Sequence, residues 1–197
     1  MSGSRRKAIV ALSVMAVFMA APAPAAQAPL GSGGVTLETS PQHASGARIT
    51  AFEQATFTLD DIISKVEGTQ GGLVIAASFE IVAGKPVYRV RTLQSWNHAV
   101  WDGMIDARTG KLAGKGRTTP VAQLDAQTQS MLARLDDSYL TLAEVVVTAE
   151  DRDGGKAMSA SLSEAMGELR FRVVVLTGEA LKTMVVDAQT GNVVSLT

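Results

Sequence analysis

The chain has 197 residues, with 18 Lys/Arg against 19 Asp/Glu, two histidines and no cysteine, for a formal net charge of −1. That balance excludes the basic stripe by which nucleic acid is recognised. The lack of cysteine excludes disulfide bracing, so the apolar core alone must hold any fold.

The N-terminus reads as an address. Arg5-Arg6-Lys7 precedes an uncharged apolar run, Ala8 to Ala21, and then small residues and prolines from Pro22 to Ala28. This is the order of a secretory signal peptide, and the run is shorter than the roughly 20 residues a membrane span needs. Residues 1–28 are therefore expected to be a signal peptide, cleaved after Ala25 or Ala28, leaving a periplasmic or secreted protein. Its removal leaves 15 basic against 19 acidic side chains, and no second apolar run long enough to span a bilayer. Residues 29–50 are rich in Gly, Ser, Thr and Pro without a period, and are expected to form a flexible lead-in.

A helix is expected next. Leu59, Ile62, Ile63 and Val66 stand at i, i+3, i+4 and i+7 and make one apolar stripe. Thr58 is its N-cap, Asp61 closes a capping box, and Gly68 is expected to end it. Leu73, Ile75, Ala77, Phe79 and Ile81 then alternate as a half-buried strand. A turn follows at Gly84, and Tyr88, Val90 and Thr92 alternate with Arg89 and Arg91 on the opposite face. A third strand covers Val100 to Ile105 and ends in Asp106-Ala107-Arg108-Thr109-Gly110. In such a block Asp accepts local backbone N–H bonds and Gly supplies a positive φ. Asp106, Thr109 and Gly110 are thus turn residues, leading into a short strand at Leu112-Ala113; a catalytic or calcium-binding carboxylate is the alternative. Thr119-Pro120 then reads as an N-cap with proline at the first helical position, opening an amphipathic linker helix over 119–135.

The same unit returns 83 positions later. Thr141-Leu142-x-x-Val145-Val146-x-x-Ala149 repeats Thr58-Leu59-x-x-Ile62-Ile63-x-x-Val66, with Thr141 as N-cap, Glu144 in the capping box, and Asp153-Gly154-Gly155 as the stop. Ala160-Ser161-Leu162, Gly167 and Phe171-Arg172-Val173 repeat Ala77-Ser78-Phe79, Gly84 and Tyr88-Arg89-Val90. After a two-residue deletion, Asp187-Ala188-Gln189-Thr190-Gly191 repeats the turn, giving Asp187, Thr190 and Gly191 the same structural role. Such periodicity argues for tandem copies of one small unit. The expected organisation is a first repeat over 51–116, a linker over 117–140 and a second repeat over 141–197.

A helix followed by an antiparallel sheet, an aromatic-x-Val strand and a terminal Asp-Ala-x-Thr-Gly turn resembles the PepSY domain family, in both copies. The resemblance implies an α+β fold of two cystatin-like domains, each with one helix packed on an antiparallel sheet. It also implies an extracytoplasmic setting, because such domains occur in propeptides of thermolysin-type metallopeptidases and in other exported proteins. Inhibition or regulation of a peptidase is the activity implied, with no catalytic residue to carry over.

The residues supply little else in the way of chemistry. The two histidines, His43 and His98, fall short of the several His or Cys a tetrahedral zinc site draws on, and no nucleophile elbow, paired-histidine zinc motif or phosphate-cradling loop occurs. No metal, cofactor or catalytic residue is therefore assigned. The stretch Ser95 to Trp101 has no counterpart in the second copy and holds both tryptophans. Trp96, His98 and Trp101 are the candidate partner-binding residues, since Trp is enriched in interface hot spots; for Trp101 the alternative is packing against the linker helix or the neighbouring domain. Arg89 and Arg172 read as solvated strand-face residues that nearby acids can bridge, with a ligand role as the alternative. The expected function is an exported, non-catalytic binding module that regulates an extracytoplasmic peptidase or other envelope protein. A periplasmic small-ligand or signal sensor and an Asp/Glu hydrolase are the competing classes.

Overall fold

The computed structural model describes residues 46–196 except 136, 137 and 139. The expected signal peptide over 1–28, and the lead-in as far as residue 45, lie outside the described residues.

The apolar stripes build two equivalent helices, α2 (Leu59–Gln70) and α4 (Leu142–Asp153), whose stripe residues are all buried. Each opens with a reciprocal capping box. The Thr58 hydroxyl accepts from the Asp61 N–H at 3.2 Å while the Asp61 carboxylate accepts from the Thr58 N–H at 2.9 Å. Thr141 and Glu144 repeat the pair at 3.3 and 2.8 Å. Helix α2 runs past Gly68, because an isolated glycine is tolerated within a helix. It stops at Gly71, whose positive φ of 69° leaves the helical region.

Eight strands follow the alternating patterns: β1 (Leu73–Val82), β2 (Lys85–Gln94), β3 (Ala99–Asp106), β4 (Arg117–Pro120), β5 (Lys156–Ala165), β6 (Glu168–Thr177), β7 (Ala180–Asp187) and β8 (Val193–Leu196). They form one antiparallel sheet in the order β4-β3-β2-β1-β5-β6-β7-β8. The offset of 83 extends to fine detail. Helix, first strand and second strand have equal lengths in both halves, and a β-bulge interrupts each first strand, at Val74/Ala76 and at Ala157/Ser159. A helix glutamate secures each bulge: Glu67 accepts from the Val74 N–H at 3.0 Å and Glu150 from the Ala157 N–H at 2.7 Å.

The halves meet where β1 pairs with β5, through Ala76↔Ser161, Ala77↔Ala160 and Ser78↔Ser159. Ala77 and Ala160 are counterparts at the repeat offset, so a pseudo-twofold axis passes between them, perpendicular to the sheet. The contact is isologous, like that of a symmetric dimer, but built within one chain. Helices α2 and α4 touch each other on one face of this sheet, and α2 contacts both β1 and β5. One apolar cluster runs through both halves. The two copies are thus halves of one continuous sheet, not bodies held apart by a connecting helix.

The expected linker helix over 119–135 is corrected accordingly. Thr119 and Pro120 pair with Val100 and Ala99 as the end of β4, where proline fits because the strand is at an edge. A short 3-10 turn, Val121–Gln123, follows, and the helix α3 (Ala126–Ala133) starts from Asp125, whose side chain accepts from the Thr128 N–H. Helix α3 has a counterpart in α1 (Gly46–Glu53), which spans the end of the expected lead-in and the start of the expected first repeat. Buried Phe52 corresponds to buried Leu135 at the same offset of 83, and the turn Ala55 N–H to Phe52 C=O recurs as Ser138 N–H to Leu135 C=O. Residues 46–50 are therefore helical rather than lead-in. Phe52, Phe79 and Tyr88 stack edge to face at 5.2 and 5.4 Å in the first half. Leu135, Leu162 and Phe171 fill the same three places in the second.

A shared core predicts shared unfolding. Both tryptophans lie in the first half, whereas Leu162 is fully buried in the second. Leu162→Ala should cost about 2–5 kcal/mol and shift the urea midpoint read by tryptophan fluorescence as far as that read by circular dichroism. A fluorescence transition that stays in place would show two independently folding halves.

Candidate functional site

The halves differ in the connection after the second strand. In the second half Gly178-Glu179 joins β6 to β7, with Gly178 at φ 59°. In the first half a 3-10 turn, Ser95–Asn97, and His98 at φ 48° join β2 to β3. The longer loop is tied to the end of α2. Gln94 donates to the Gln70 carbonyl at 3.2 Å, and Asn97 donates to the Gln94 side chain at 3.1 Å. The Trp96 indole lies against Gly71, where a Cβ would come within 2.7 Å of the ring. Its other side is open, for Trp96 is 62% exposed. His98 is exposed at the loop's end, and its carbonyl accepts from the Val121 N–H at 2.8 Å.

Trp101 does not join them on the surface. It lies on the helix side of β3, 6% exposed, within the core cluster. Its ring covers Gly103 and Gly116, and a Cβ on either would sit 2.2 Å from it. Trp101 thus packs on its own strand and on the turn before β4. Trp96 and His98 form the exposed part of the candidate site.

The Asp-Ala-x-Thr-Gly blocks close the third strand of each half. One Asp106 carboxylate oxygen accepts the Arg108 N–H at 3.0 Å, the Thr109 N–H at 2.8 Å and the Thr109 hydroxyl at 3.0 Å. Asp187 repeats this with Gln189 at 3.1 Å and with the N–H and hydroxyl of Thr190 at 2.7 and 2.8 Å. Gly110 and Gly191 take positive φ of 63° and 72°. The alanine is fully buried in each block, and its N–H donates to the second strand, at Pro86 or Leu169. The backbone bonds from Thr109 and Thr190 hold both carboxyls below the ordinary aspartate value. Burial pushes Glu150 the other way, although its bond from Ala157 opposes the shift. Among the described residues no three His, Cys, Asp or Glu side chains converge as a metal site.

On the sheet face away from the helices, the first half carries a charge network. Arg89 meets Glu80 at 3.4 Å and Asp102 at 3.6 Å, and Arg91 meets Asp102 at 2.9 Å. Sequence reading placed the arginines on this face but missed Glu80 and Asp102. Strand register was the missing signal, since Asp102 is opposite Arg91 only once β3 is laid against β2.

Residues 57–115 match the PepSY family model, described as the peptidase propeptide and YPEB domain. No curated protein matches the chain. A crystal structure at 1.85 Å of a provisionally assigned lipoprotein from Clostridium difficile 630 aligns with 75% of this chain and 96% of its own, at 18% identity and a TM-score of 0.42. No helix among the described residues is long and apolar enough to cross a membrane.

The turn carboxylates give a pH prediction. Their folded-state values lie below the unfolded one, about 3.9 for aspartate. Their contribution is therefore fully present above that value and is lost as pH falls through the lowered folded value. Asp106→Asn with Asp187→Asn should be less stable than wild type at pH 7, and the gap should close on acidification below about pH 4. Urea midpoints from pH 7 to pH 2 measure this; a gap independent of pH would mean that the charge plays no part in the turns.

Proposed function

We propose that this protein is an exported, non-catalytic PepSY-type binding module that regulates an extracytoplasmic peptidase or another envelope protein. The observation that carries the reading is the family match over 57–115, a region that contains the Trp96 loop. The second half, with the same helix, bulge, strand lengths and terminal turn at a fixed offset, is a second PepSY-type unit in this reading. The basic and apolar order of residues 5–28 supports export. The acids of the terminal blocks and capping boxes are engaged by backbone N–H groups, which gives them a structural role.

Trp96 suits partner contact. One side of its ring is supported by Gly71 and the other faces outward, so it offers a rigid apolar plate at low entropic cost. The short edge strands β4 and β8 offer a second mode, in which a partner strand extends the sheet by backbone pairing.

Affinity capture from an envelope extract with wild type, Trp96→Ala and Trp101→Ala tests the reading. Trp96→Ala should weaken partner binding by about 2 kcal/mol or more with little change in Tm. Trp101→Ala should instead lower stability by about 3–5 kcal/mol. A captured peptidase should be inhibited by the purified wild-type protein. Equal recovery with wild type and Trp96→Ala would remove the loop from the contact, and failure of wild type to retain any partner would remove the binding-module reading.

A further inference from the structure

We propose that Arg172, on the sheet face away from the helices, is the anchor for a carboxylate of a protein partner, an Asp or Glu side chain on a segment laid across β5, β6 and β7. This rests on the binding-module reading and assigns it a second contact surface, in the opposite half from Trp96.

Equivalent positions on this face are filled differently in the two halves. In the first half Arg89 is held between Glu80 and Asp102, and Arg91 meets Asp102 as well. The counterparts of Glu80, Arg89, Arg91 and Asp102 are Ser163, Arg172, Val174 and Thr183. The arginine is kept and both of its carboxylates are replaced by hydroxyls. Among the arginines of β2 and β6, Arg89, Arg91 and Arg170 each have a carboxylate within 4.0 Å, the last through Glu168 at 2.8 Å. Arg172 has none among the described residues. Asp187, further along β7, is opposite Arg170 and is already committed to its own turn.

Short polar and apolar side chains surround Arg172. Ser161 and Val185 are its direct neighbours across the strands, with Ser159, Ser163 and Thr183 diagonal to it. Ser159 and Ser161 are only 6% and 4% exposed, and no hydrogen bond among the described residues uses either hydroxyl. Val174, two residues along β6, is 9% exposed. Arg172, partly buried, therefore sits in a field of short hydroxyls and branched apolar side chains. A guanidinium can hold a carboxylate through two parallel N–H donors, and adjacent hydroxyls can donate to whichever lone pairs remain. Arginine in apolar surroundings is a favoured hot-spot composition. Arg172 is not among the residues lining the 120 Å³ cavity bounded by Arg134, Gly167, Glu168, Leu169, Asp187 and Gln189. Small molecules favour concave sites, whereas a sheet face suits an extended segment that supplies the acid.

The test uses the purified, processed protein labelled for NMR. The probes are an acetylated peptide of alternating Val and Glu, its Val and Gln counterpart, and free acetate. The Glu peptide should shift the amides of Ser159, Ser161, Arg172, Val174 and Thr183 and bind more weakly as salt rises. The Gln peptide should bind at least tenfold more weakly. Arg172→Gln should cause a similar loss, and Arg172→Lys a smaller one. Ser163→Glu with Thr183→Asp, which gives Arg172 the carboxylates that Arg89 has, should also abolish binding while keeping the wild-type spectrum elsewhere. Equal binding of the two peptides, full binding by Arg172→Gln, or shifts confined to other strands would overturn the assignment. Acetate saturating the same amides at peptide concentrations would overturn the protein-partner assignment in favour of a small-anion site. Capture separates this proposal from the one it rests on. A partner retained equally by wild type and Arg172→Gln defeats the Arg172 anchor and leaves the binding module standing, whereas the absence of any captured partner defeats the module itself.

Discussion

The pairing of β1 with β5 is the contact on which the rest of the structure depends. Each half alone would be a short, three- to four-stranded sheet with two helices, close to the size at which one core barely supports a fold. Each would also present its first strand as an open edge, a template for unwanted pairing. Joining those edges about the Ala77/Ala160 axis removes both problems. It produces one eight-stranded sheet and brings α2 and α4 together over its centre. The residues at the axis are small, Ala76, Ala77 and Ser78 against Ser159, Ala160 and Ser161. Ala77 and Ala160 are each 1% exposed beneath the paired helices, so larger side chains there would force the helices off the sheet.

Pseudo-symmetry also gives an internal reference for reading the surface. Positions under the same folding constraint are filled alike: two capping boxes, two glutamate-secured bulges, two Asp-centred turns. Departures from that pattern are then freed from the demands of the fold. The Trp96 loop is one departure, an insertion that places an indole over the end of α2. The replacement of Glu80 and Asp102 by Ser163 and Thr183 is another. Where Arg89 lies between two carboxylates, Arg172 has none within 4.0 Å among the described residues.

Much of the fold was legible in the sequence because its signals are local. A stripe at helical spacing, a threonine three residues before an acid, and a carboxylate followed by glycine each act within one or two turns of chain. Less local features were misread for identifiable reasons. Thr119-Pro120 has the residue types of a helix start, but pairing with Val100 and Ala99 overrode that preference. Helix α1 has only eight residues and arises in a stretch of loop-like composition, so its apolar period was too brief to register. The correspondence with the segment after α3 is carried by Phe52 and Leu135, two residues at the repeat offset that differ in type. Trp101 could be placed on a strand from sequence, but its burial depends on Gly103 and Gly116, which are brought beneath the ring only by the fold. The arginine face depends on register in the same way.

Interstrand NOEs in the intact protein test the central pairing most directly. The β1–β5 register predicts a backbone contact between Ala77 and Ala160, flanked by the mirrored contacts of Ala76 with Ser161 and of Ser78 with Ser159, and slow amide exchange along the centre of both strands. Absence of those contacts, with residues 76–78 or 159–161 exchanging as rapidly as an exposed edge strand, would show that the halves are not joined through a common sheet.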